Sequence, residues 1–92
     1  MSLKSISDKK NQKILIIDDD VDLANLLEEF LTSFNFKITV IHSPKDGIEF
    51  LQTNDVDLIV LDIMMPEMDG FQALRKIREF SAVPVIMLTA RG

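Results

Sequence analysis

The chain has 92 residues, a formal net charge of −5 and no cysteine. That length allows one small domain. The acidic balance argues against nucleic acid as a direct partner of this segment, which would need a basic face, and the lack of cysteine excludes disulfide, zinc-thiolate and thiol-nucleophile chemistry.

Residues 1–12 are polar with scattered charge and no period, and read as a flexible N-terminal tail without the apolar core of a signal peptide. No apolar run approaches the ~20 residues of a membrane span, so the expected location is the cytoplasm. Lys13 to Ile17 is the first strand, ending in Asp18-Asp19-Asp20. Asp20 can cap a helix whose Leu23, Leu27, Phe30, Leu31 and Phe34 recur at a 3–4 spacing and predict one buried stripe. Asn35 suits a left-handed stop. Phe36 to Ile41 alternates at first and reads as an edge strand. Ser43-Pro44-Lys45-Asp46 is a helix start, with Ser43 as cap and Pro44 at the first helical position. That helix presents Ile48 and Leu51; Gly47 inside it costs about 1 kcal/mol relative to alanine, which points to close packing.

Leu58 to Leu61 is an apolar run of the kind expected for a strand covered on both faces, and Asp62 stands where it leaves the core. Pro66 and Gly70 punctuate a loop, and Asp69 caps a helix from about Gly70 to Phe80 with Phe71, Leu74 and Ile77 facing inward. Val83 to Thr89 is the last strand, with Pro84 tolerated near its start. Strands and helices alternate throughout, so the fold is α/β with a parallel sheet and right-handed crossovers.

In a doubly wound sheet of strand order 2-1-3-4, the ligand crevice opens between the first and third strands, at their carboxyl ends. Asp18, Asp19 and Asp62 end those two strands. Asp57 begins its strand roughly 16 Å away and reads as a solvated strand-entry acid. Three carboxylates in one crevice repel each other unless a cation sits among them, and Mg2+ suits a few hard oxygens plus retained waters. The competing reading, that the acids only cap the following helix, fits Asp20 but not Asp18 and Asp19. His42 reads as an ordinary polar strand end rather than a ligand. Met64, Met65 and Met68 read as filler beside the site rather than a partner-binding lip, and Phe71 and Phe80 as core or interface.

Ile17-Asp18-Asp19, then Leu61-Asp62-Ile63-Met64-Met65-Pro66-Glu67-Met68-Asp69-Gly70, then Leu88-Thr89-Ala90, in this order and spacing, resemble the receiver domain of two-component response regulators. The resemblance spans residues 13–92, and the flavodoxin-like strand order is partly inherited from it. It implies that Asp62 is the phosphoacceptor, taking a phosphoryl group from a histidine kinase or phosphotransfer protein. It implies that Asp19, Asp62 and the backbone carbonyl of Met64 coordinate Mg2+, with Asp18 holding a metal-bound water or the ion itself. Thr89 would contact the phosphoryl group and report it to an output domain C-terminal to this segment. Pro66 and Gly70 would shape the loop.

A complete receiver continues through another helix, a fifth strand and a last helix, and carries there a lysine and an aromatic switch residue. Residues 13–92 therefore read as a partial receiver whose Val85 to Leu88 edge, left unpaired, would invite dimerisation. Two other readings compete. One is a receiver-like binding module that takes no phosphate. The other is a haloacid-dehalogenase-type phosphatase fragment with Asp18 as nucleophile, although Asp22 stands where that family has a small residue.

Overall fold

The computed structural model describes residues 12–89. The elements are β1 (Lys13–Ile17), α1 (Val21–Thr32), β2 (Lys37–Ile41), α2 (Pro44–Thr53), β3 (Leu58–Asp62), α3 (Gly70–Arg78) and β4 (Val85–Leu88). The strands form one parallel sheet in the order β2-β1-β3-β4. The expected architecture and strand order are the observed ones.

Side chains on successive strand residues point to opposite faces, which splits the core into two layers. Leu15, Ile17, Ile59 and Leu61 face one way and pack with Leu51, Ala73 and Ile77. Ile14, Ile16 and Val60 face the other way and pack with Ala24. Leu15, Ile16, Ile17, Ile59 and Leu61 are fully buried, and each such side chain contributes roughly 1.5–3 kcal/mol relative to exposure. The two central strands thus provide the rigid floor on which the acidic crevice is built.

The helix starts follow from their caps. Asp20 accepts the N–H of Leu23 at 3.1 Å, Ser43 that of Asp46 at 3.3 Å and Asp69 that of Gln72 at 2.9 Å. Gln72 reciprocates by accepting the N–H of Asp69 at 3.0 Å, which completes a capping box. Asn35 takes the left-handed conformation expected of it, with φ 69°. Gly47 is where α2 settles on the sheet: a Cβ there would lie 2.6 Å from Ile17 Cδ1.

Three expectations need correcting. The helical stripe of α1 is rotated: Phe30 and Phe34 are exposed, at 60% and 58%, and Ala24 is the residue fully buried against the sheet. The two rings instead meet each other edge to face at 5.2 Å. Phe71 on α3 is likewise exposed, while Ala73 takes the inward position beside Ile77. The last strand is shorter than Val83 to Thr89, because Pro84 has no N–H to donate and only its carbonyl reaches the ladder, accepting from Ile59 at 3.0 Å. The tail of residues 1–12 lies outside the described residues except for Gln12. That residue is already in the ladder, its carbonyl accepting the Lys37 N–H at 2.8 Å.

Candidate functional site

Parallel register builds the site. Ile17 stands opposite Leu61 across β1 and β3, so the next residues, Asp18 and Asp62, leave the sheet side by side. Asp62 in turn stands opposite Leu88, and the Ile63 N–H donates to the Leu88 carbonyl at 2.9 Å. Thr89, one residue beyond β4, therefore emerges at the same carboxyl end. Asp18, Asp19 and Asp62 each offer a carboxylate oxygen within 4.8 Å of the other two. The three acids that the sequence pointed to are together. Asp57 is not with them: at the opposite end of β3, its Oδ2 accepts the Lys13 N–H at 2.7 Å.

The acids differ in what already engages them. Asp20 is committed to capping α1, as expected. Asp18 is almost fully buried, at 1% exposure. Its Oδ1 accepts the Asp20 N–H at 2.9 Å, while its Oδ2 is buried without a hydrogen-bond partner. An unpartnered buried carboxylate oxygen is costly, and a cation among three carboxylates removes that cost. Asp62, 7% exposed, accepts the Met64 N–H at 3.3 Å on Oδ1. Burial pushes the Asp62 carboxyl up from 3.8 to about 6; the Met64 N–H pulls it down, and the charge of Asp18 beside it pushes it up again. Hard oxygen donors in this number, with one buried oxygen orphaned, fit a small divalent cation.

The loop from Ile63 to Asp69 is pinned at both ends and in the middle. Met65 is buried in the core and Met68 packs against it, while Met64 between the sheet and Met65 is exposed. The chain must turn back between Met65 and Met68 within two residues. It does so with Glu67 at φ 71°, the Met68 N–H donating to the Pro66 carbonyl at 2.7 Å. A positive φ on a glutamate is uncommon, and no residue in the sequence announces it; the two methionine anchors impose it. Gly70 closes the loop. A Cβ there would run into the backbone carbonyl of Asp62 and come 2.8 Å from Ile63 Cα.

Sequence reasoning passed over one neighbour. His42 Nδ1 lies 2.9 Å from the Asp18 carbonyl oxygen. A lone histidine after an edge strand carries no signal of that; the contact depends on the register, which ends both strands level at Ile17 and Ile41 and leaves Asp18 and His42 as the next residues of each.

The response regulator receiver domain family matches residues 14–92. The chain belongs to that family. This receiver is 38% identical over 82 residues to the regulatory protein VanRc of Enterococcus gallinarum, covering 89% of this chain and 36% of that protein. It is 42% identical over 80 residues to the transcriptional regulatory protein CpxR of Escherichia coli (strain K12), covering 87% and 34%. The receiver chain thus spans about a third of the length of these relatives. Among solved structures it resembles the receiver domain of the Francisella response regulator 1452, with a TM-score of 0.82, 34% identity and coverage of 88% and 68%. It also resembles the response regulator TrrA of Thermotoga maritima in complex with Mg(2+)-BeF, with a TM-score of 0.83, 28% identity and coverage of 88% and 71%. The chain is a two-component signalling domain, and its relatives are named as regulators rather than enzymes. No helix among the described residues is long and apolar enough to cross a membrane.

Proposed function

We propose that this receiver takes a phosphoryl group onto Asp62 from a histidine kinase or phosphotransfer protein, using Mg2+, and switches an output domain elsewhere in the protein. The observation that carries the reading is the cluster of Asp18, Asp19 and Asp62 with one buried carboxylate oxygen unpartnered. In support, TrrA was solved with Mg(2+)-BeF bound, and the relatives VanRc and CpxR are named regulatory proteins of greater length.

Asp62 is read as the acceptor from the receiver-like stretch that it heads, and it ends β3 within the cluster formed with Asp18 and Asp19. Its carboxylate oxygen attacks phosphorus as the P–N bond to the donor imidazole breaks. The products are a mixed anhydride on Asp62 and a neutral histidine on the donor, whose other ring nitrogen carries a proton so that the imidazole leaves uncharged. A divalent cation held by Asp18, Asp19, Asp62 and the Met64 carbonyl would neutralise charge on the transferring group. The Met64 N–H orients the Asp62 carboxylate through Oδ1. Thr89, at the end of the neighbouring strand, contacts the phosphoryl group once it is in place and passes its own displacement to the output surface. The domain is a signalling element of the cytoplasm, not an enzyme with a released product, and the segment itself contacts no nucleic acid.

In the full-length protein, acetyl phosphate with Mg2+ should label Asp62, located by mass analysis after trapping. Asp62→Asn keeps the shape, removes the nucleophilic charge and should abolish the label with the fold intact. Label on Asp18 would favour phosphatase-type chemistry, and no label on folded, Mg2+-loaded protein would favour a binding module.

A further inference from the structure

His42 is exposed at the end of β2, on the rim of the acid cluster, and the scheme above gives it no task. Its Nδ1 lies 2.9 Å from the Asp18 carbonyl oxygen. A carbonyl only accepts, so Nδ1 carries the proton and donates. On the other side of the same residue, the Asp18 N–H donates to the Ile41 carbonyl at 3.1 Å. Two consecutive residues of one strand end thus hold both backbone polar groups of Asp18. With Oδ1 engaged by the Asp20 N–H, Oδ2 is the one oxygen of Asp18 left uncommitted.

The Asp18 carbonyl belongs to the planar peptide unit that also contains the Asp19 nitrogen. The ring that holds that carbonyl therefore sets the plane from which Asp19 departs. We propose that His42 is a positioning residue for the metal site, fixing the Asp18–Asp19 peptide so that both carboxylates address one ion. It acts through Asp18 and touches neither ion nor phosphoryl group. The inference rests on the reading of Asp18, Asp19 and Asp62 as a divalent-cation site. A merely structural bond would be redundant here, because β1 and β2 are already joined along five register pairs from Lys13–Lys37 to Ile17–Ile41.

The test is Mg2+ affinity by calorimetry in the full-length protein, set beside the thermal midpoint without metal. His42→Phe keeps the bulk of the ring and removes the donor; His42→Asn restores an N–H close to where Nδ1 sits. Outer partners of metal ligands commonly change affinity by tenfold or more, so His42→Phe and His42→Ala should raise the Mg2+ dissociation constant about tenfold, and His42→Asn should recover most of the loss. The metal-free midpoints of His42→Phe and His42→Asn should match, which a purely structural tie would not give. An unchanged Mg2+ constant in His42→Phe, or no recovery in His42→Asn, overturns the proposal. Wild-type protein that binds no Mg2+ at all would instead overturn the cation-site reading, and this inference with it.

Discussion

Gly70 and Ile63 close the loop behind Asp62: the Gly70 N–H donates to the Ile63 carbonyl at 2.9 Å, and the bare Gly70 Cα sits against the Asp62 carbonyl. Glycine is needed there for space, not for an unusual dihedral, since no described glycine has positive φ. Alanine would gain about 1 kcal/mol of helix propensity at the first position of α3. The added methyl would meet backbone that cannot rotate away, and overpacking of this kind costs typically 1–3 kcal/mol. Gly70→Ala should therefore destabilise by up to about 2 kcal/mol net and weaken Mg2+ binding as the loop shifts. Chemical denaturation and Mg2+ titration of the same variant check both effects.

The Asp62 carboxyl couples stability to pH. Its folded value, about 6 against an ordinary 3.8, is raised, so the folded state holds the proton more tightly than the unfolded chain. The stability this group contributes is full below about pH 4 and is lost as pH rises through about 6, on the order of 3 kcal/mol in metal-free protein. Asp62→Asn mimics the protonated form at every pH. It should raise the metal-free thermal midpoint at about pH 7.5, and this advantage should shrink toward pH 5. Mg2+ requires the ionised form, so the stabilisation by Mg2+ should grow over the same interval. A pH-independent difference between wild type and Asp62→Asn would contradict the account.

Metal binding should distinguish the two ends of β3. A ligand that binds only the folded state adds RT ln(1 + [L]/Kd), about 1.4 kcal/mol at ten times Kd. Asp19→Ala should erase the Mg2+-dependent rise in thermal midpoint. Asp57→Ala loses only an exposed bond to the Lys13 N–H and should keep that rise. Equal losses in the two variants would move the site away from the crevice.

Much of this protein was decided by local pattern. Uninterrupted apolar runs made Leu58 to Leu61 and Ile14 to Ile17 central strands, because a strand covered on both faces has no polar side to show. The caps Asp20, Ser43 and Asp69 were legible because one side-chain oxygen satisfies a nearby N–H within the same stretch of chain. Asp18, Asp19 and Asp62 were legible as a group because parallel strands place equivalent ends together. Ile48, Leu51, Leu74 and Ile77 face inward as their spacing predicts, but tertiary structure alone decided the rotation that turns the phenylalanines of α1 and α3 outward. The 3–4 spacing favoured Phe30, Phe34 and Phe71, but a helix approaches a sheet most closely through its smallest side chain. The stripes are therefore centred on Ala24 and Ala73, with the phenylalanines displaced to the surface. The left-handed turn at Glu67 and the bond from His42 to Asp18 were hidden for a related reason. The first is forced by two methionines anchored in the core, the second by the register in which β1 and β2 pair, and neither constraint exists until the chain has packed.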